Sequence, residues 1–113
     1  MSLNDRVRCS ALQARTMTAA DAAALIPAGA NVGMSGFTGA GYPKAVPLAL
    51  AERIRTLRAQ GQPFKVSVWT GASTAPELDG ALARSGGIQY RAPYQSDPDM
   101  RTAIICWMMP VIV

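Results

Sequence analysis

The sequence predicts an α/β protein: a mainly parallel open sheet with covering helices, assembled from alternating units. Two observations carry that expectation. Segments with a helical apolar period alternate with short β-branched or apolar runs in the order αβαβαβα, the pattern of strands joined by crossover helices. Each of the three strand-like runs is followed by a loop rich in glycine, hydroxyl or proline residues. At 113 residues, 50% hydrophobic and 16% charged, the chain is one domain at most, or a piece of one, with enough apolar content for a core.

The elements follow in order. Thr18 and Asp21 form a capping arrangement in which a hydroxyl and an acid three residues on satisfy the first amides of a helix. That helix is alanine-rich, runs to about Ile26 and stops at Pro27-Ala-Gly29. Asn31–Ser35 is short and apolar and reads as a buried strand, with Gly33 weakening it. Gly36–Pro43 is too dense in glycine to be anything but loop. From Lys44 to about Gln60, Val46, Leu50, Ile54 and Leu57 recur at three- and four-residue spacing and form one apolar stripe. Pro43 and Pro47 fall before it or in its first turn, where a missing amide costs little. Arg53, Arg55 and Arg58 crowd its C-terminal half and read as a solvated helix end. Phe64–Thr70 alternates and is a second strand. A helix from Pro76 to about Arg84, a third strand at Ile88–Arg91, and a loop leading into another helical turn complete the series.

Composition excludes several functions. The net charge of +4 is modest and its arginines lack interleaved aromatics, so no nucleic-acid partner is expected. With no histidine and only Cys9 and Cys106, a zinc site lacks ligands and a Ser-His-Asp or Cys-His mechanism lacks its base. Two free thiols in a reducing cytoplasm are expected, with a single disulfide as the alternative. The apolar run after the basic N-terminus is broken by Asp21 and Pro27, unlike a secretory signal; a mitochondrial presequence is the competing reading. No stretch approaches the ~20 apolar residues of a membrane span, so no membrane partner and a cytoplasmic setting are expected.

In open α/β sheets ligands sit beyond the carboxyl ends of the strands. Three loops qualify: Gly36–Pro43, Gly71–Ala75 and Ala92–Asp97. Glycines at Gly36, Gly39 and Gly41 permit close backbone approach, and a helix N-terminus behind such a loop favours an anion. The spacing is G-x-x-G-x-G, neither the dinucleotide fingerprint nor a P-loop, so these residues alone fit a tight connection equally well. Ser73 and Thr74 fit helix capping as readily as ligand contact. Glu52 lies mid-helix within reach of Arg55 or Thr56, and Glu77 lies in a first helical turn; both are expected to be structural.

Together, "GMSGFTGAGYPKAVP" (Gly33–Pro47), "WTGASTAPELDGALA" (Trp69–Ala83) and "YRAPYQSDPDMR" (Tyr90–Arg101) resemble the N-terminal part of the acetyl-CoA hydrolase/transferase family. These are class I CoA-transferases of the succinyl-CoA:acetate CoA-transferase kind, and the resemblance runs from about Val7 to Ile104. It implies a NagB/RpiA/CoA-transferase-like fold, here incomplete. It also implies exchange of coenzyme A between acyl-CoA and short carboxylates such as acetate and succinate, or hydrolysis of acetyl-CoA, within acetate metabolism. In the family a glutamate attacks the thioester and a glutamyl-CoA thioester carries the CoA onward. Carried over residue by residue, Ser73 and Ser96 fall on carboxylate contacts. Gly36, Phe37, Thr38 and Gly41, with Gly71 and Ala72, line the same region. The resemblance implies no permanently bound cofactor and no metal; coenzyme A is substrate. It leaves a homo-oligomer or missing downstream domains as partners.

The nucleophilic glutamate belongs to a later segment of the family pattern, so no catalytic residue is assigned and the chain is expected to be inactive alone. A non-catalytic carboxylate- or CoA-binding module, or one subunit of a split enzyme, is the alternative. After Ile104 the family pattern continues with a polar segment like Asn-Ala-Gly-Glu, whereas this chain has "ICWMMPVIV". The expectation is therefore a family portion over 1–104 and a divergent apolar tail over 105–113, from truncation or a shifted frame. A genuine terminal strand, or a membrane- or partner-binding element, is the lesser alternative.

Overall fold

The computed structural model describes residues 3–108. Three parallel strands form one sheet in the order β1-β2-β3: β1 is Asn31–Gly33, β2 Val66–Trp69 and β3 Ile88–Ala92. Two single-turn helices, α1 (Leu3–Arg6) and α2 (Ser10–Gln13), precede α3 (Ala19–Ala24). The β1–β2 crossover is α4 (Ala45–Ala59). The β2–β3 crossover is a π-helical turn, Pro76–Gly80, running directly into α5 (Ala81–Ser85). The last helix, α6, spans Pro98–Met108. The α/β class with a parallel sheet is thus the observed one.

Local chemistry explains the element ends. The Thr18 hydroxyl accepts from the Asp21 amide at 3.1 Å and donates to the Asp21 carboxylate at 2.7 Å, which starts α3 as the cap pattern requires. The α4 stripe buries Leu50 and Ile54 completely and Leu57 and Val46 partly, with Pro47 and Ala51 joining them. Gly86, at φ 71°, ends α5 in the left-handed conformation that favours glycine at this position.

The core lies between one sheet face and the helices. Val66, Val68 and Ile88 meet Leu50, Ile54, Leu78, Leu82 and Met100. The opposite face leaves Trp69 and Tyr90 half-exposed, their ring centroids 5.1 Å apart. A bulge in β3 decides which side chains reach the core. Val66 pairs with Ile88, but Ser67 pairs with Tyr90, so Gln89 is the extra residue. The slip puts Arg91 beside Val68 on the helix-covered face and Tyr90 on the open one; an unbulged ladder would have done the reverse.

Several boundaries differ from the sequence expectation. β1 ends at Gly33 and β2 begins at Val66; beyond them the two segments are joined by single bonds rather than a continued ladder, the Met34 amide donating to the Trp69 carbonyl at 2.9 Å and the Gly29 amide to the Lys65 carbonyl at 2.6 Å. The helix expected to start at Pro76 opens as a π turn rather than an α turn. The arginine cluster is solvated only in part. Arg55 pairs with Glu52 on the surface, at 2.7 Å. Arg53 instead donates to the Ala23 and Ile26 carbonyls at 2.8 and 2.6 Å and stacks over Phe64, while Arg58 donates to the Ser85 carbonyl at 2.8 Å. Both therefore cap neighbouring helix ends, where carbonyls lack intrahelical partners.

Cys9 and Cys106 are free and exposed. Among the described residues no helix is long and apolar enough to cross a membrane. The helix α6 continues through Met108, so the backbone of 105–108 is helical rather than a strand; the rest of the apolar tail, 109–113, lies outside the described residues.

Candidate functional site

The three loops that leave the carboxyl ends of β1, β2 and β3 converge. Backbone bonds tie the first to the second: the Thr38 amide donates to the Ala72 carbonyl at 2.9 Å and the Gly39 amide to the Ser73 carbonyl at 3.3 Å. The second is tied to the third by Ser73, whose amide donates to the Tyr94 carbonyl at 2.5 Å and whose hydroxyl accepts from the Ser96 amide at 3.0 Å. The hydroxyls of Ser73 and Ser96 also share a short hydrogen bond. Such convergence at the strand ends is where an open α/β sheet holds its ligand.

The loops enclose an open cleft of about 460 Å³, lined by Thr38, Gly39, Ser73, Thr74, Ala75, Pro76, Tyr94 and Ser96. Ala75 and Pro76, at the start of the π-helical turn Pro76–Gly80, form part of its wall. Two non-glycine residues in the cleft have left-handed backbones, Thr38 at φ 47° and Ser73 at φ 57°. Conformations of this kind cost energy and persist where surrounding bonds over-determine them.

Of the residues singled out in the sequence, Thr38, Ser73 and Ser96 line the cleft. Of the others, Gly36 and Gly71 bring the first two loops close together behind it. A side chain on Gly71 would place its Cβ 1.8 Å from the Gly36 carbonyl oxygen, and one on Gly36 would reach 2.8 Å from the Tyr42 Cβ. Ala72 contributes its carbonyl to Thr38, Gly41 accepts from the Ser35 hydroxyl at 2.8 Å, and Phe37 is 61% exposed, away from the lining. Glu77 sits at the base of the first loop. It accepts from the Tyr42 hydroxyl at 2.9 Å, with Lys44 3.9 Å away. Its own backbone amide and the Tyr42 hydroxyl hold its carboxyl below the ordinary 4.5. The bond to Glu77 in turn raises Tyr42 above 10.0. Glu52 lies far from the cleft, on a groove of about 390 Å³ along α4 beside Ala20.

Sequence reasoning missed Asp79 and Arg91. Their side chains are wholly buried and joined by two bonds, Arg91 Nε to Asp79 Oδ1 at 2.7 Å and Nη2 to Oδ2 at 3.0 Å. The sequence signal was slight: Arg91 is the last residue of the third strand-like run, Ile88–Arg91, and Asp79 lies within the helix that follows Pro76. Among the described residues, no group of three His, Cys, Asp or Glu side chains is placed to hold a metal ion.

The cleft thus lies at the strand ends of a parallel α/β domain and carries the hydroxyl-bearing residues Thr38, Ser73, Thr74, Tyr94 and Ser96. The comparison with known proteins makes the class specific: a family model for the acetyl-CoA hydrolase/transferase N-terminal domain matches residues 1–105. The chain belongs to that family. It is 44% identical over 99 residues to a succinyl-CoA:acetate CoA-transferase of Clostridium kluyveri, covering 88% of this chain and 18% of that protein. It is 39% identical over 88 residues to a propanoyl-CoA:succinate CoA transferase of Escherichia coli, covering 78% and 18%. Identity to an acetyl-CoA hydrolase of Neurospora crassa is 38% over 94 residues, covering 83% and 18%. The chain thus spans about a fifth of the length of these relatives.

Proposed function

We propose that the cleft binds the carboxylate of a short acid or of its acyl group, as one wall of a CoA-transferase or acetyl-CoA hydrolase site. The observation that carries this reading is the Ser73–Ser96 hydroxyl pair, held between two loops and lining the cleft. Two hydroxyls that already bond each other can rotate to donate to the two oxygens of one carboxylate. Thr38 and the glycine-rich loop close the third side. Coenzyme A enters in this reading as substrate, with no standing cofactor, in a cytoplasmic setting.

The transfer itself, through a glutamyl-CoA thioester, needs a nucleophile that neither glutamate of this chain supplies. Glu52 is on another surface, and Glu77 is committed to Tyr42 and its own amide. Residues 1–104 then act as a binding portion of the family's N-terminal domain, with 105–113 a divergent tail, and the chain by itself turns nothing over. The relatives' names, which join CoA-transferases and acetyl-CoA hydrolases, support the substrate class and leave both activities within the reading.

The test is a titration of the ¹⁵N-labelled chain with acetate, succinate and coenzyme A, followed by an acetyl-CoA hydrolysis assay. Saturable shifts at the Ser73, Ser96 and Thr38 amides with a Kd in roughly the millimolar range are expected, since so small a ligand has few atoms with which to bind. Absence of saturable shifts at those amides overturns the binding reading. Hydrolysis abolished by Glu77→Gln or Glu52→Gln overturns the claim that the nucleophile lies elsewhere.

A further inference from the structure

We propose that Asp79 and Arg91 are positioning residues for the Ser73–Ser96 pair: their buried ion pair sets where the two hydroxyls stand relative to each other. The proposal rests on the reading of the cleft as a carboxylate site. Its basis is the use to which the ion pair is put. Besides their mutual bonds, Arg91 Nη1 donates to the Ala92 carbonyl at 2.6 Å and Nη2 to the Gly71 carbonyl at 3.3 Å, while Asp79 Oδ2 accepts from the Thr74 amide at 2.9 Å. Gly71 and Thr74 bracket Ser73 in sequence, and Ala92 begins the segment that carries Ser96. The pair therefore grips both loops by their backbones from beneath.

Two backbone irregularities converge on this one contact. The β3 bulge turns Arg91 onto the helix-covered face, and the π-helical turn is where Asp79 enters the same space. Bulges and π turns both interrupt regular pairing, and both recur where a side chain must be re-aimed. Apolar residues of similar volume could replace the ion pair's mutual attraction by packing. They could not bond Gly71, Thr74 and Ala92, and those bonds fix a loop whose Ser73 has a left-handed backbone. The same grip explains how that conformation is held without a glycine.

The test uses the full chain and separates stability from positioning. Asp79→Leu/Arg91→Met replaces the pair with apolar side chains, and Arg91→Lys keeps the charge while removing the two-pronged geometry. Three readouts are compared: melting temperature, acetate affinity from the Ser73 and Ser96 amide shifts, and hydrogen exchange at the Thr74 amide. The expected result is acetate affinity about tenfold weaker and Thr74 exchange about tenfold faster, the scale of one lost hydrogen bond, in variants that still melt cooperatively. Arg91→Lys is expected to show both changes, which keeps the test decisive if the double variant does not fold. Affinity and exchange within about twofold of the parent in any folded variant overturn the proposal. If the parent itself fails to bind acetate, the cleft reading falls, while Thr74 exchange and the Ser73–Ser96 contact in the variants still decide whether the pair positions the loop.

Discussion

Replacing Gly71 with alanine would drive a methyl group into the backbone of the neighbouring loop. The new Cβ would lie 1.8 Å from the Gly36 carbonyl oxygen and 2.9 Å from its carbonyl carbon. A carbon and a carbonyl oxygen come no closer than about 3.3 Å in ordinary contact, so the loops must separate by about 1.5 Å. Neither neighbouring atom belongs to a flexible side chain, and Gly36 is itself hemmed in by Tyr42 and Thr74. Overpacking of this kind costs about 1–3 kcal/mol. Separation also stretches the Thr38–Ala72 and Gly39–Ser73 backbone bonds, each worth about 0.5–1.5 kcal/mol. A loss of about 3 kcal/mol follows, and at about 4–6 °C per kcal/mol the melting temperature falls by roughly 10–20 °C. Thermal unfolding followed by circular dichroism measures it, with Gly33→Ala as the control because nothing lies within 4 Å of its added Cβ. A Gly71→Ala chain that melts together with the Gly33→Ala control would refute the close approach of the first two loops, and with it the geometry of the cleft.

The remaining predictions concern the arginines and the Tyr42–Glu77 contact. Arg53→Ala removes two donors to the end of α3 and a stacking contact on Phe64; chemical denaturation should register a loss of about 1–3 kcal/mol. Arg55→Ala breaks only a surface pair and should stay within about 0.5 kcal/mol of the parent. Glu77 has its carboxyl depressed below 4.5, so its contribution is present above that value and is lost as pH falls through the folded-state midpoint. Tyr42 is raised above 10.0, so its contribution is complete below that pH and is lost as pH rises through its own folded midpoint. In Tyr42→Phe, a carboxyl titration by NMR should find Glu77 moved part of the way up toward its ordinary value, since its own amide still bonds it. An unchanged Glu77 midpoint would show that the hydroxyl does not act on it.

How much of this protein could be read from its residues depended on the range of the interactions involved. Local periodicity decided the Leu50–Ile54 face of α4, the Thr18 cap and the succession of strands and helices, because caps and apolar stripes act within one or two turns. The three loop motifs carried the family, and Ser73 and Ser96, named from them, do share the cleft. Phe37 does not line it, and Gly36 and Gly71 serve by leaving room for each other's backbones. Strand ends were decided by where neighbours stop pairing, a property of the sheet. Arg53 and Arg58 looked like solvated cations because the helix ends they cap come from other segments. Asp79 and Arg91 stand twelve residues apart and opposite in charge, which describes countless unrelated pairs. Only folding, with a bulge turning one inward and a π turn bringing in the other, placed them under Ser73. The chain alone determined the alternation of helices and strands from α3 onward and which loops follow the strands; the tertiary structure decided which side chains those loops rest on, because burial of a charge depends on a partner that only the assembled fold supplies.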